Sequence, residues 1–317
     1  MAAEGRALMA EALAPLVDRL APLAPAEATM RLGHLLFSLP LPPCRAPRDY
    51  RVGSMRLAGP VGVAAGLDKN GRMARFLSHF CPGFVVVGST TPRPRRGNRP
   101  PRVARLAPHS MVNAMGLNND GLPAVLSRVS GVDYPLLVSV AGFSELEILE
   151  QLEYIERYAG PNVVGVEVNL SSPTYKGMWR GVLPELGSYR RQVLLKVGPG
   201  FDLEEYAAAA RRHGLGLVVT NTLPVDDPRL STGRGGLSGL LLYPLALAMV
   251  RRAREAAGDG VPIVGVGGIM TCSQAREMMR YADALEVLTA VLYLGPGVLR
   301  RLNSCLAWSL SSASRGP

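Results

Sequence analysis

Between residues 61 and 288, eight short apolar runs alternate with stretches of helical periodicity, and few folds accept that pattern. The runs are Val61–Ala65, Phe84–Gly88, Leu136–Val140, Val163–Asn169, Val193–Val197, Leu215–Thr220, Pro262–Gly265 and Ala284–Leu288. Most are rich in β-branched residues and too short for a helix, which is how a strand buried on both faces reads. Helical patterns over Glu145–Tyr158, Leu203–His213, Tyr243–Ala257 and Ser273–Tyr281 lie between many of them. Parallel strands need a crossover, and a helix supplies it. Eight such units predict an α/β fold, a closed (β/α)8 TIM barrel, with its functional residues at the C-terminal ends of the strands. The rival, an open doubly wound sheet, lacks the expected G-x-G-x-x-G after the first strand.

Residues 1–45 follow a different pattern. Met9, Leu13, Leu16, Val17 and Leu20 recur at helical spacing until Pro22 and Pro25 break it. A second helical stretch from Glu27 to Ser38 ends at Pro40, Pro42 and Pro43. The expected organisation is therefore a helical extension over 1–45 and a barrel domain over 46–317. Two short amphipathic helices suit either a cap on the barrel bottom or an apolar lid at a membrane surface, and periodicity leaves both open. No run reaches the ~20 apolar residues of a membrane span, and no basic segment precedes an apolar leader. A cytoplasmic location is expected, with peripheral membrane attachment left open.

Charge and sulfur content narrow the function further. A net charge of +10 favours anionic partners. Arg93, Arg95, Arg96, Arg99, Arg102 and Arg105 are interleaved with proline and glycine rather than aromatics, which reads as a structured loop and not a nucleic-acid platform. Cys44, Cys81, Cys272 and Cys305 are far apart and form no C-x-x-C, so buried thiols are expected rather than disulfides or a metal site. The four histidines are equally scattered, and no metal is expected.

Polar residues collect where the runs end. Lys69 follows the first run, Ser89 the second, and Ser139 lies in the third. Asn169 to Thr174 close the fourth, Lys196 lies in the fifth, and Thr220, Asn221 and Thr222 close the sixth. Gly265, Gly267 and Gly268 follow the seventh and Thr289 the eighth, the two places where barrels commonly hold a phosphate. Lysine is rarely buried without a partner, so Lys69 and Lys196 at one rim suit a ring that becomes anionic on reduction. Asn113, Asn169 and Asn221 offer paired donors and acceptors to a planar, amide-rich substrate. No carboxylate or histidine couple stands out for hydrolysis.

Over residues 50–307 the chain resembles the dihydroorotate dehydrogenases. The likeness rests on Ala65-Gly66-Leu67-Asp68-Lys69-Asn70-Gly71, Gly88-Ser89-Thr90-Thr91-Pro92-Arg93-Pro94 through Gly97-Asn98, and Asn113-Ala114-Met115-Gly116-Leu117-Asn118-Asn119. It continues in Asn169-Leu170-Ser171-Ser172-Pro173, Thr220-Asn221-Thr222, Gly235-Gly236-Leu237-Ser238-Gly239 and Gly265-Val266-Gly267-Gly268. The resemblance implies an FMN held by Ala65, Gly66, Lys69, Ser89, Ser139, Asn169, Lys196, Thr220, Ser238, Gly239, Gly267, Gly268, Leu288 and Thr289. Dihydroorotate or orotate would meet Lys69, Asn113, Met115, Gly116, Leu117, Asn169, Asn221 and Thr222. Ser172 falls on the family's catalytic base and Lys196 beside the flavin. Serine at that position, the two N-terminal helices and Arg105 resemble the membrane-associated class that reduces a quinone.

Several positions depart from the family pattern. Thr174 replaces an asparagine that contacts substrate, Ser139 an asparagine beside the flavin, and Leu288 a tyrosine of the quinone class. The N-terminal tunnel histidine has no clear counterpart, and Asn113–Leu117 looks more like the soluble, cysteine-using class. Three other readings share some of these features: an FMN barrel acting on another dihydropyrimidine-like ring, a tRNA dihydrouridine synthase-like enzyme, and a non-catalytic flavin-binding protein.

Overall fold

Gly53, in a backbone conformation with φ +57°, turns a short hairpin of β1 (Tyr50–Val52) and β2 (Met55–Leu57) at the start of the folded domain. Next come β3 (Val61–Asp68), α1 (Ala74–Ser78) and β4 (Val85–Thr90), then a second hairpin of β5 (Val103–Leu106) and β6 (Ser110–Asn113). The chain continues through α2 (Leu122–Val129), β7 (Leu136–Val140), α3 (Glu145–Tyr158) and β8 (Val163–Asn169). After α4 (Leu183–Gly187), β9 (Gln192–Val197), α5 (Leu203–His213) and β10 (Gly216–Val219) it inserts β11 (Leu223–Asp226) and β12 (Arg234–Gly239). The last elements are α6 (Tyr243–Ala257), β13 (Ile263–Val266), α7 (Cys272–Met278), β14 (Ala284–Val287), α8 (Thr289–Leu294) and α9 (Gly297–Ala313). This computed structural model describes residues 44, 49–170 and 178–313, without the side chains of 178, 179 and 308–313. The extension over 1–45, apart from Cys44, lies outside the described residues, as does the 171–177 segment with Ser172 and Thr174.

β3, β4, β7, β8, β9, β10, β13 and β14 close into one barrel in chain order, every neighbouring pair parallel. These are the eight runs read from the sequence. Their flanking helices carry the expected start and stop signals. Ser144 caps α3 by accepting from the Glu147 N–H, and Asp202 caps α5 by accepting from the Glu205 N–H. Gly214, at φ +67°, ends α5 behind Arg211, Arg212 and His213. Thr271 and Gln274 form a reciprocal capping box at the start of α7.

Two apolar layers hold the barrel. The larger lies between the outer strand faces and the helices, and runs from Val61 and Val85 through Leu152 and Tyr206 to Leu302. The smaller fills the barrel's lower interior, where Phe84, Val86, Leu137, Leu194, Val218, Val264 and Ala284 meet Val52, Met55 and Leu57 from the β1–β2 hairpin. That hairpin is thus a plug at the N-terminal end. Strand side chains alternate with period two, so the next inward positions are Ser139 above Leu137, Lys196 above Leu194 and Glu286 above Ala284. A dry floor therefore sits beneath a polar layer.

Two features depart from the sequence reading. The insertions join as a four-stranded antiparallel sheet, β11-β12-β6-β5, for which the sequence held no reading beyond a loop at its arginine-rich edge. The end of the arginine-rich stretch is strand, since Arg102 directly precedes β5 and Arg105 lies in it. The cysteines are not free thiols: Cys44 is bonded to Cys81 and Cys272 to Cys305. Sequence separations of 37 and 33 residues hid both pairs, because only the fold brings their backbones together.

Candidate active site

The polar layer opens upward into a cavity of about 360 Å³ at the C-terminal end of the barrel, beneath the four-stranded sheet. Ala65, Gly66 and Lys69 line it from the end of β3, Ser89 from β4, Asn169 from β8 and Lys196 from β9. Thr220, Asn221 and Thr222 follow from β10, Gly267 and Gly268 from β13, and Leu288 and Thr289 from β14. The covering sheet adds Asn113, Met115, Gly116 and Leu117 on one side and Ser238 and Gly239 on the other. Ser139 does not reach the wall; it stands one hydrogen bond behind Ser89. Ser172 lies outside the described residues. Every other residue that the resemblance assigns to cofactor or substrate is thus on one cavity, together with apolar Val103, Met111, Leu242, Ile269 and Leu292, whereas Gly265 and Arg105 are not on its wall.

Local structure explains how such distant segments converge. Asp68, buried at the end of β3, accepts from the Arg72 and Met73 N–H groups at 2.9 Å each, so it shapes the turn that carries Lys69 and does no chemistry. Asn119 holds the Asn113–Leu117 loop from beneath. Its Nδ2 donates to the Leu117 carbonyl and Thr91 Oγ1, while its Oδ1 accepts from the Thr91 and Gly121 N–H groups. Asn98 grips the same loop through the Met115 and Ala114 carbonyls. Gly116, at φ +72°, lies so close to Asn98 that a Cβ there would meet its side chain at 2.7 Å.

The floor is a directed chain of hydrogen bonds. Asn221 Nδ2 donates to Asn169 Oδ1 at 3.4 Å, and Asn169 Nδ2 to Ser89 Oγ at 3.1 Å. The Ser89 and Ser139 hydroxyls are 2.8 Å apart, and Ser139 donates to Glu167 Oε1 at 2.7 Å. Lys196 Nζ closes the chain from the other side, 3.1 Å from Glu167 Oε2. Glu167 thus has a donor on each oxygen. Glu286, 0% exposed and also on the cavity wall, has a hydrogen-bond partner on neither oxygen among the described residues. Its ion-pair partner is Lys196, whose Nζ lies 3.8 Å away.

Burial and neighbouring charge set the protonation of these groups. Desolvation and then the negative charge of Glu167 push the Glu286 carboxyl up to about 8, against the pull of Lys196. Burial works to lower Lys196, but the two glutamates outweigh it and its ammonium is held above the ordinary lysine range. Lys69 moves the other way, down to about 8, through burial and the Arg102 guanidinium. Reading the sequence for its site missed Glu167 and Glu286. Each is an acidic residue inside an otherwise apolar strand, and that is the signal that marks them.

Residues 50–310 match the family model described as dihydroorotate dehydrogenase. Similar proteins include a dihydroorotate dehydrogenase (quinone) of Alkalilimnicola ehrlichii, 35% identical over 88% of this chain and 91% of that one. Another is the mitochondrial dihydroorotate dehydrogenase (quinone) of Mus musculus, 33% identical over 92% and 84% of the two chains. Among solved structures, DHODH of Eimeria tenella in complex with ferulenol superposes with a TM-score of 0.77 at 27% identity, covering 94% of this chain and 96% of that one.

Proposed function

The chain belongs to the dihydroorotate dehydrogenase family, and on that premise we propose that it oxidises (S)-dihydroorotate to orotate in pyrimidine synthesis and passes the electrons to a quinone. The observation that carries this reading is the convergence of Lys69, Lys196, Asn113, Asn169 and Asn221 on one cavity at the barrel mouth. The readings as a tRNA dihydrouridine synthase-like enzyme, as an oxidoreductase for another ring and as a non-catalytic flavin protein are not favoured beside relatives of this kind.

The wall suits FMN as the cofactor. Gly66, at φ +104°, keeps the wall open where a Cβ would stand 3.3 Å from Leu288 Cδ1 and 3.9 Å from Lys69 Nζ. The hydroxyls of Ser238 and Thr289, 3.2 Å apart, adjoin the glycine corner of Gly267 and Gly268, a donor set suited to phosphate. The asparagine, serine and lysine donors on the floor suit a ring edged with carbonyl and nitrogen groups. Bound there, a flavin supplies the two-electron acceptor for hydride, chemistry no side chain provides.

The protein's own part is binding, charge and proton removal. Lys69 and the asparagine amides would hold the anionic, amide-rich substrate, with Met115, Gly116, Leu117 and Thr222 completing its enclosure. Lys196, fixed by Glu167, would stabilise negative charge developing over the floor. Ser172, three residues beyond Asn169, would take the substrate proton. Attachment of a cytoplasmic protein to a membrane surface through residues 1–45 belongs to the same proposal. Among the described residues no helix is long and apolar enough to cross a bilayer.

An anaerobic half-reaction tests the reading. The purified protein should carry FMN absorbance that bleaches on addition of L-dihydroorotate and returns with a quinone. A protein that takes up no FMN, or stays yellow with substrate, refutes it.

A further inference from the structure

One lysine serves two buried acids in the cavity floor, and they are not equivalent. Glu167 accepts from Ser139 and Lys196, whereas Glu286 has neither oxygen in a hydrogen bond among the described residues. The polarity of the chain explains the asymmetry. Every donor from Asn221 to Ser139 is directed toward Glu167, and Lys196 Nζ lies 0.7 Å closer to it than the 3.8 Å that separates it from Glu286. An ionised Glu286 would put a second negative charge beside one ammonium in a site sealed from below by the apolar plug. A neutral carboxylic acid avoids this and carries an O–H that no described residue accepts.

We propose that Glu286 is held as a protonated acid beneath Lys196, acting through that lysine as a positioning residue that keeps the floor free of net charge under the ring bound above it. The inference rests on the reading that this cavity holds the flavin. It gives the enzyme a proton-linked control of the ring's potential: ionising Glu286 adds negative charge beneath a ring that becomes anionic on reduction, so reduction becomes less favourable.

Few other groups face Glu286. β13 offers no titratable side chain, and on β3 only Asp68 is ionisable, its carboxylate already engaged by the Arg72 and Met73 N–H groups. Across the barrel stand Glu167 and Lys196, and Lys69 lies on the same cavity. Burial and the Glu167 charge both disfavour ionisation of Glu286, placing its titration near pH 8.

The test compares the wild-type protein with Glu286→Gln. Infrared spectra between pH 6 and pH 9 should show a protonated-carboxyl band in the wild type that vanishes as pH rises through about 8 and is absent from the variant. Over the same range, the midpoint potential of bound FMN should fall more steeply above the break in the wild type, and the variant should lose that break. Glu167→Gln, which removes the opposing charge and frees Lys196 for Glu286, should shift the break to lower pH and serves if Glu286→Gln does not fold. A yellow wild-type protein with no titrating band overturns this inference alone, as do potentials that depend on pH identically in wild type and variant. A protein that shows the band yet takes up no FMN overturns the flavin reading, and with it the role assigned here to the proton.

Discussion

Replacing Glu286 with glutamine should make folding stability less dependent on pH, by an amount the structure sets. The carboxyl is 0% exposed, and its pKa rises from an ordinary 4.5 to about 8. Below pH 4.5 the folded and unfolded chains both hold this proton, and the group exacts no penalty. Between 4.5 and 8 the folded chain keeps a proton that the unfolded chain has released, so stability is lost as pH rises. The loss is about 1.4 kcal/mol per pH unit, or on the order of 5 kcal/mol across the whole window. Glutamine is neutral throughout and close to the acid in shape, so the variant escapes that loss. Equilibrium urea unfolding of both proteins, disulfides intact, at pH 5, 6, 7 and 8 measures the difference. Titration of Asp68 and Lys69 is common to both and cancels. The variant should gain on the wild type by roughly 4 kcal/mol from pH 5 to pH 8. Parallel stability curves would falsify the assignment of Glu286 as the buried neutral acid.

Other groups yield shorter tests. Lys196→Met removes the ion-pair partner of Glu167 in a dry site and should destabilise the protein by roughly 3–5 kcal/mol. Adding Glu167→Gln to that variant should restore most of the loss in the same urea assay, and a double variant no better than the single one contradicts the pairing. Orotate binding, followed by titration calorimetry, should weaken as pH rises through about 8, where Lys69 loses its charge. Arg102→Ala should move that break upward, because the guanidinium helps to depress Lys69. Thiol titration of the unfolded protein should find none of the four cysteines before reduction and all four after it. The disulfides close loops of 37 and 33 residues, so reducing either should lower stability by about 3–4 kcal/mol.

The parts of the fold legible in the sequence are those where burial acts on many consecutive residues. Val163–Asn169 and Gln192–Val197 are nearly continuous apolar runs because helices cover one face and the barrel interior the other. α3 and α5 announce their ends through Ser144, Asp202 and Gly214. The covering sheet had no such signal. β12 is Arg234-Gly235-Gly236-Leu237-Ser238-Gly239, mostly half-exposed and poor in strand-forming side chains. Its glycines answer to neighbours far off in sequence: a Cβ on Gly235 would meet the Asn113 carbonyl, and one on Gly236 would overlap Thr222. Site residues were legible where they stood at strand ends, as Lys69, Asn169 and Asn221 do. Glu167 and Glu286 stood inside strands and passed as parts of apolar runs, although each shares the inward parity of a recognised residue: Glu167 lies two before Asn169, and Glu286 follows Ala284 as Lys196 follows Leu194.

That parity also explains why the floor can act electrostatically. Had the lower layer admitted water, solvent would screen these charges, and the protonation of Lys196 and Glu286 would follow ordinary solution values. Met55 and Leu57 of the hairpin meet Phe84, Leu137 and Leu194 there instead, so the charged layer rests on a dry base. A flexible tail in place of the hairpin would leave that base open. The same dryness raises Glu286 and strengthens what Lys196 does to any anion above it. Plug and floor are therefore one device, and a polar substitution at Met55 or Leu57 should reach the chemistry through the protonation of Glu286 without touching the cavity wall.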